Sequence, residues 1–128
     1  MIKVYVAGKY SDNNVLGVLG NIAKGIQVCK DLFLNGYAPF CPWLDHQFIL
    51  CMSKQERDKL TVEMFQRYSL EWLEQCDCML VIKDMMETSQ GTQQEIIYAT
   101  QWGIPIFYSL DEFYFWANIL YEGDHHGN

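Results

Sequence analysis

The stretch from Cys76 to Ala99, CDCMLVIKDMMETSQGTQQEIIYA, narrows the possible folds more than any other part of the chain. Cys78, Met79, Leu80, Val81 and Ile82 form an apolar run without alternation, the pattern of a parallel strand covered on both faces. Asp84 to Ser89 leave that strand as a polar loop, and Gly91 with Thr92 opens a helix whose first turn carries Glu95. A strand, a small-residue loop and a helix N-terminus in succession bring backbone N–H groups and a partial positive charge to one spot, which suits an anion. Glu95 itself has two readings. Thr92-Gln93-Gln94-Glu95 spells a capping box, which alone would account for the glutamate; the other reading is a carboxylate presented to a ligand.

Elements of the same kind repeat along the chain. Ile2 to Ala7 reads as a first strand ending at Gly8, followed by the polar loop Lys9 to Asn14. Leu19, Ile22, Ala23, Ile26, Cys29, Lys30 and Phe33 recur at helical spacing, so a helix is predicted from Asn14 to Leu34, stopped by Asn35-Gly36. Tyr37 to Pro42 is a second strand, placed at a sheet edge by Pro39 and Pro42, which cannot donate to a ladder. Trp43 to Lys54 is a connection rich in large apolar residues, with Trp43, Phe48 and Ile49 suited to wall a pocket or a subunit contact. A second helix is predicted over Glu56 to Gln75, with Leu60, Met64, Tyr68, Trp72 and Leu73 on one face. Gly91 to Trp102 follows the central strand as a helix, Ile104 to Tyr108 as a fourth strand, and Asp111 to Tyr121 as the last helix.

Strands alternating with helices predict an α/β fold, a Rossmann-like or flavodoxin-like three-layer sandwich of four or five parallel strands in the order 2-1-3-4, with helices on both faces. The order reverses between strands one and three, and ligands in such sheets sit in the crevice at that point, beyond the strand C-termini. The loops Gly8 to Ser11 and Asp84 to Thr92 would then share one pocket. Asp77 starts the central strand at the opposite edge and reads as structural.

A chain of 128 residues suffices for one domain, expected over 1–122 with a polar tail at 123–128. Its net charge of −7 argues against binding the phosphate backbone of nucleic acid polymers, and leaves room for a small anion held by amides. Five cysteines, an odd number scattered over several elements, point to free thiols in a reducing compartment. With no signal-peptide pattern and no apolar run near the ~20 residues that span a bilayer, a cytoplasmic protein without membrane attachment is expected. Cys76-Asp77-Cys78 lacks a metal-ligand spacing and His125-His126 lies in the tail, so no metal is expected.

KVYVAGKYSDNN, GYAPFCPWLDH, LEWLEQCDCMLVI and above all TSQGTQQEIIYA followed by GIPIF resemble the small nucleoside 2-deoxyribosyltransferase-like proteins, a superfamily that includes deoxynucleoside 5′-monophosphate N-glycosidases and uncharacterised bacterial and phage branches. The resemblance spans about residues 2 to 108. It implies that Glu95 is a nucleophile attacking C1′ of deoxyribose, held by Tyr5, with a covalent glycosyl-enzyme as intermediate. It implies no cofactor, a nucleoside or nucleotide as the small-molecule partner, and a homo-oligomer, dimer or tetramer. Ser89, where the transferases often carry an acid, favours a 5′-phosphate anchored with Gly8, Lys9, Tyr10, Gly91 and Thr92, and His46 is a further candidate for contacting base or phosphate. At position 69 active relatives usually have the aspartate that transfers a proton to the leaving base, and this chain has Ser69. Asp45, His46 or Glu71 would have to replace it, or the protein binds nucleotides without efficient turnover.

Overall fold

The computed structural model describes residues 1–83 and 90–126, His46 and residues 121–126 by their backbone alone. The expected loop residues Asp84 to Ser89, with Ser89 among the candidate site residues, lie outside the described residues. Four strands, β1 (Lys3–Ala7), β2 (Ala38–Phe40), β3 (Cys78–Val81) and β4 (Ile106–Phe107), form one sheet in the order β2-β1-β3-β4, every pair parallel. Val4 pairs with Cys78 and Ala7 with Val81, so the two central strands run side by side to the same edge.

Alternation on the two inner strands creates two cores. Val4 and Val6 of β1 and Cys78 and Leu80 of β3 face one side, where Cys29 and Leu32 of α1 (Val15–Leu34) and Phe113 and Ala117 of α5 (Leu110–His126) cover them. Tyr5, Ala7, Met79 and Val81 face the other side, against Leu73 of α3 (Val62–Glu74) and Ala99 of α4 (Gln90–Gln101). This is the three-layer α/β sandwich expected of the sequence. Fully burying each Val or Met side chain contributes roughly 1.5–3 kcal/mol, which makes β1 and β3 the anchor of the molecule.

The glycine stops hold at both predicted places. Gly36 and Gly103 take φ of 90° and 71°, and the next N–H in each case reaches back into the last helical turn, Tyr37 to the Leu32 carbonyl at 3.0 Å and Ile104 to that of Ala99 at 2.9 Å. Asp77 is structural as read: its Oδ2 accepts from the Lys3 N–H at 2.8 Å and its own N–H donates to the Lys3 carbonyl at 2.8 Å, locking β3 onto β1 at the edge away from the site.

Several local expectations are corrected. The helix predicted over Glu56 to Gln75 is two helices, α2 (Lys54–Asp58) and α3, because Ser53 and Thr61 each cap a new start. In α3 Met64 is exposed and the inward residues are Leu73 with Leu70 behind it. The face of α1 is also turned from its predicted setting: Gly25, Cys29 and Leu32 point inward, while Leu19, Ile26 and Phe33 stay in solvent. The cause is steric. A Cβ on Gly25 would collide with the indole of Trp43, so the glycine is the seat of that ring and sets the helix rotation. Trp43 is therefore buried, not an exposed interface candidate, while Phe48 and Phe115 are exposed. The connection after β2 is a run of 3-10 turns, Pro42–Cys51, and α5 continues past Tyr121 to His126.

Candidate active site

At the C-terminal edge of β1 lies an open cavity of about 780 Å³. Its floor is Gly8 to Ser11, one wall is the 3-10 segment with Pro42, Trp43 and Asp45, and the opposite wall is the start of α4 with Gln90, Gly91, Thr92, Gln94, Glu95 and Tyr98. The third wall comes from α3: Val62, Glu63, Phe65, Gln66, Arg67, Ser69 and Leu70. The crevice where strand order reverses is thus the place where a pocket forms, as the topology requires.

Glu95 reaches it because of where α4 begins. The helix is regular from Gln90, so Thr92 is already inside it and cannot be its N-cap. Thr92 is buried and shares with Ile96 and Ala99 the stripe that packs toward the sheet; Glu95 lies on that stripe and is carried inward. The capping-box reading of Thr92 and Glu95 falls with this. The chain does contain a capping box, at Ser53 and Glu56, where the serine Oγ accepts from the Glu56 N–H at 3.2 Å and the carboxylate from the Ser53 N–H at 3.0 Å.

Beneath Glu95 is Tyr5, fully buried on β1 and stacked on Phe40 with ring centroids 5.4 Å apart. Its hydroxyl sits between the Glu95 carboxylate and the Ser69 hydroxyl and interacts with both. Neither the Tyr5 hydroxyl nor Glu95 Oε2, both shut off from solvent, completes a hydrogen bond of standard geometry among the described residues. Buried polar atoms in that condition are uncommon in native proteins and call for an explanation such as a catalytic role. Burial pushes Glu95 up, the neighbouring Tyr5 hydroxyl pulls it down and the nearby charge of Asp45 pushes up again, which together raise it to about 7. Burial also drives Tyr5 well above its ordinary range, with Glu95 adding to the effect, so the phenol stays protonated.

The β1 exit is held in place by distant parts of the chain. The Trp43 indole N–H donates to the Lys9 carbonyl at 3.0 Å, and Asn21 of α1 donates to the Tyr10 carbonyl at 3.2 Å. Lys9 Nζ lies 3.8 Å from Asp12, so part of its charge is answered within its own loop. Gly91 lines the cavity, and a Cβ there would meet no atom of the described residues within 4 Å.

Of the residues singled out from sequence, Gly8, Lys9, Tyr10, Gly91, Thr92 and Glu95 line one cavity, and Tyr5 supports it from below. The backbone of His46 belongs to the 3-10 segment beside it. Glu71 is exposed on α3 and does not line the cavity. The lining that sequence reading missed is that of α3, above all Arg67 and Gln66. Their signal was a polar interruption in an amphipathic helix, indistinguishable in sequence from a solvated face.

The family described as a domain of unknown function, DUF7768, matches residues 2–109. The chain belongs to that family. No curated protein matches this DUF7768 chain in sequence. Among solved structures it is similar to the 2-deoxyribosyltransferase of the psychrotolerant bacterium Bacillus psychrosaccharolyticus, with a TM-score of 0.54 and 23% identity over 81% of this chain and 69% of that one. At that identity the likeness speaks for the fold of the DUF7768 chain, a nucleoside deoxyribosyltransferase fold. Among the described residues no helix is long and apolar enough to cross a membrane, and no three His, Cys, Asp or Glu side chains gather as a metal site would need.

Proposed function

We propose that this chain acts on the N-glycosidic bond of a deoxynucleoside or deoxynucleoside 5′-monophosphate, by hydrolysis or by transfer to a second base, with Glu95 as nucleophile. The observation that carries this reading is the Glu95 carboxylate, inside an open cavity, with an unsatisfied buried oxygen and a tyrosine hydroxyl directly beneath it. An ionised carboxylate in that position attacks C1′ as the base departs through an oxocarbenium-like transition state, giving a glycosyl ester that water or another base resolves. The buried Tyr5 hydroxyl orients the carboxylate. A residue held near neutrality is present in both protonation states at working pH, so nucleophile and leaving group are available without extreme conditions.

The 5′-phosphate is favoured by the pocket's opening at the start of α4, with the backbone at Gly91, and by the cations Lys9 and Arg67 on its lining. Incubation with each deoxynucleoside and deoxynucleoside monophosphate, followed by chromatography of released base, tests the reading. Product that disappears in Glu95→Ala supports it; no product from any substrate sinks it.

A second reading is a nucleotide-binding protein with little turnover. It is favoured by Ser69, a hydroxyl beside Tyr5 where active relatives carry an acid. Nucleotide-dependent thermal stabilisation without released base would decide for it. The homo-oligomer implied by the resemblance is supported by the apolar residues Leu19, Ile26 and Phe33 that α1 leaves exposed at seven-residue steps, and light scattering in solution tests it.

A further inference from the structure

We infer that Asp45 is the general acid of this site, replacing the carboxyl that position 69 lacks and giving its proton to the leaving base as Glu95 attacks C1′. The inference rests on the N-glycosidic reading of the cavity. Asp45 is set in the 3-10 segment two residues after Trp43, whose ring is wedged against Gly25 and whose N–H is tied to Lys9. That anchoring carries the carboxyl onto the cavity wall while keeping it buried, with 7% of the residue exposed. Asp45 and Glu95 line the same cavity, and the charge of Asp45 raises both Glu95 and Tyr5, although the three groups come from three separate parts of the chain. Two other carboxylates among the described residues fit less well: Glu71 is off the cavity, and Glu63 is an exposed rim residue on the first turn of α3.

Two carboxyl groups that act on one another in this way resist ionising together and share one proton; the charge of Asp45 keeps that proton on Glu95 in the free site, and for the first step it passes to Asp45, leaving Glu95 ionised as the nucleophile. In the first step the Glu95 oxygen bonds to C1′, the C1′–N bond breaks with its electron pair on the base nitrogen, and the Asp45 proton moves to that base. In the second step Asp45, now ionised, takes a proton from water as the water oxygen bonds to C1′. The C1′–O bond to Glu95 breaks, its electrons return to the carboxylate, and Asp45 is again protonated. Nothing beyond substrate and water is consumed.

The experiment compares two substrates on wild type, Asp45→Asn and Glu95→Gln: a deoxynucleoside 5′-monophosphate, whose base needs protonation, and 4-nitrophenyl 2-deoxyriboside 5-phosphate, whose phenolate leaves without it. Read as kcat/KM, which reports the first step alone, Asp45→Asn is expected to lose roughly 10²–10⁴-fold on the nucleotide and less than about tenfold on the phenyl glycoside, while Glu95→Gln loses both. Equal losses in Asp45→Asn overturn the inference and leave the glycosidic reading standing. Glu95→Gln as active as wild type, or a wild type that turns over neither substrate, sinks both. A measurement on the wild type alone guards against a variant that does not fold. Across phenolate leaving groups of increasing basicity the rate declines shallowly when a proton is donated, and a steep decline overturns the assignment.

Discussion

The hydroxyl of Tyr5 and the carboxylate of Glu95 meet beneath an open cavity, one from the floor of the sheet and one from the inward stripe of a helix ninety residues further on. Tyr5→Phe keeps the ring stacked on Phe40 and removes only the hydroxyl. Since the Tyr5 hydroxyl lowers Glu95, its loss moves the carboxyl above about 7. In the proposed enzyme the acidic limb of the pH dependence of kcat should therefore move to higher pH. In the proposed reaction this contact tightens to a hydrogen bond on the ionised carboxylate, worth about 1.5–3 kcal/mol, so kcat should fall roughly 10–100-fold with KM little changed. A profile with an unmoved limb would mean that Tyr5 does not hold the nucleophile.

Glu95 also makes stability depend on pH. Its ordinary value is 4.5 and its folded value about 7, so between these the native state binds more protons than the unfolded chain. Stability consequently falls as pH rises through that window, by at most about 3 kcal/mol. Glu95→Gln removes this term. Its melting temperature should match that of the wild type near pH 4.5 and exceed it by several degrees at pH 8, as measured by thermal unfolding across the range. A gap that does not widen with pH would contradict the burial of the charge.

Gly25 and Trp43 give a prediction about packing. Gly25→Ala places a methyl inside the volume of the indole, and Trp43 must shift. Overpacking of this kind costs about 1–3 kcal/mol. Because Trp43 is tied to the Lys9 carbonyl and precedes Asp45, nucleotide binding should weaken beyond what the stability loss explains. Calorimetry on the folded variant, well below its melting temperature, checks this; unchanged affinity would separate the ring from the site.

Gly91 should respond with opposite signs. Alanine at the second residue of α4 meets no atom of the described residues within 4 Å, and relieves the helix of a glycine, a gain of up to about 1 kcal/mol. The same methyl covers backbone that the proposed phosphate would approach. Gly91→Ala is thus expected to melt a few degrees higher and to bind a deoxynucleoside monophosphate several-fold more weakly, with the unphosphorylated nucleoside less affected. Equal weakening of both ligands would place the phosphate elsewhere.

What could be read from residues alone was whatever is decided within a few positions of itself. The unbroken apolar runs of β1 and β3, the prolines that put β2 at an edge, and the glycines at 36 and 103 are local signals, and together they imposed four parallel strands in the order 2-1-3-4 with a crevice beyond Gly8. Only the packed molecule decided which face of α1 turns inward, because that depends on Trp43 finding a glycine eighteen positions earlier. It likewise decided that Thr92 is not a cap and that Asp45 and Glu95 line one cavity, where the charge of one acts on the other. Periodicity and turn chemistry are written along the chain. Desolvation and the mutual influence of charges exist only once remote segments have excluded water from the space between them.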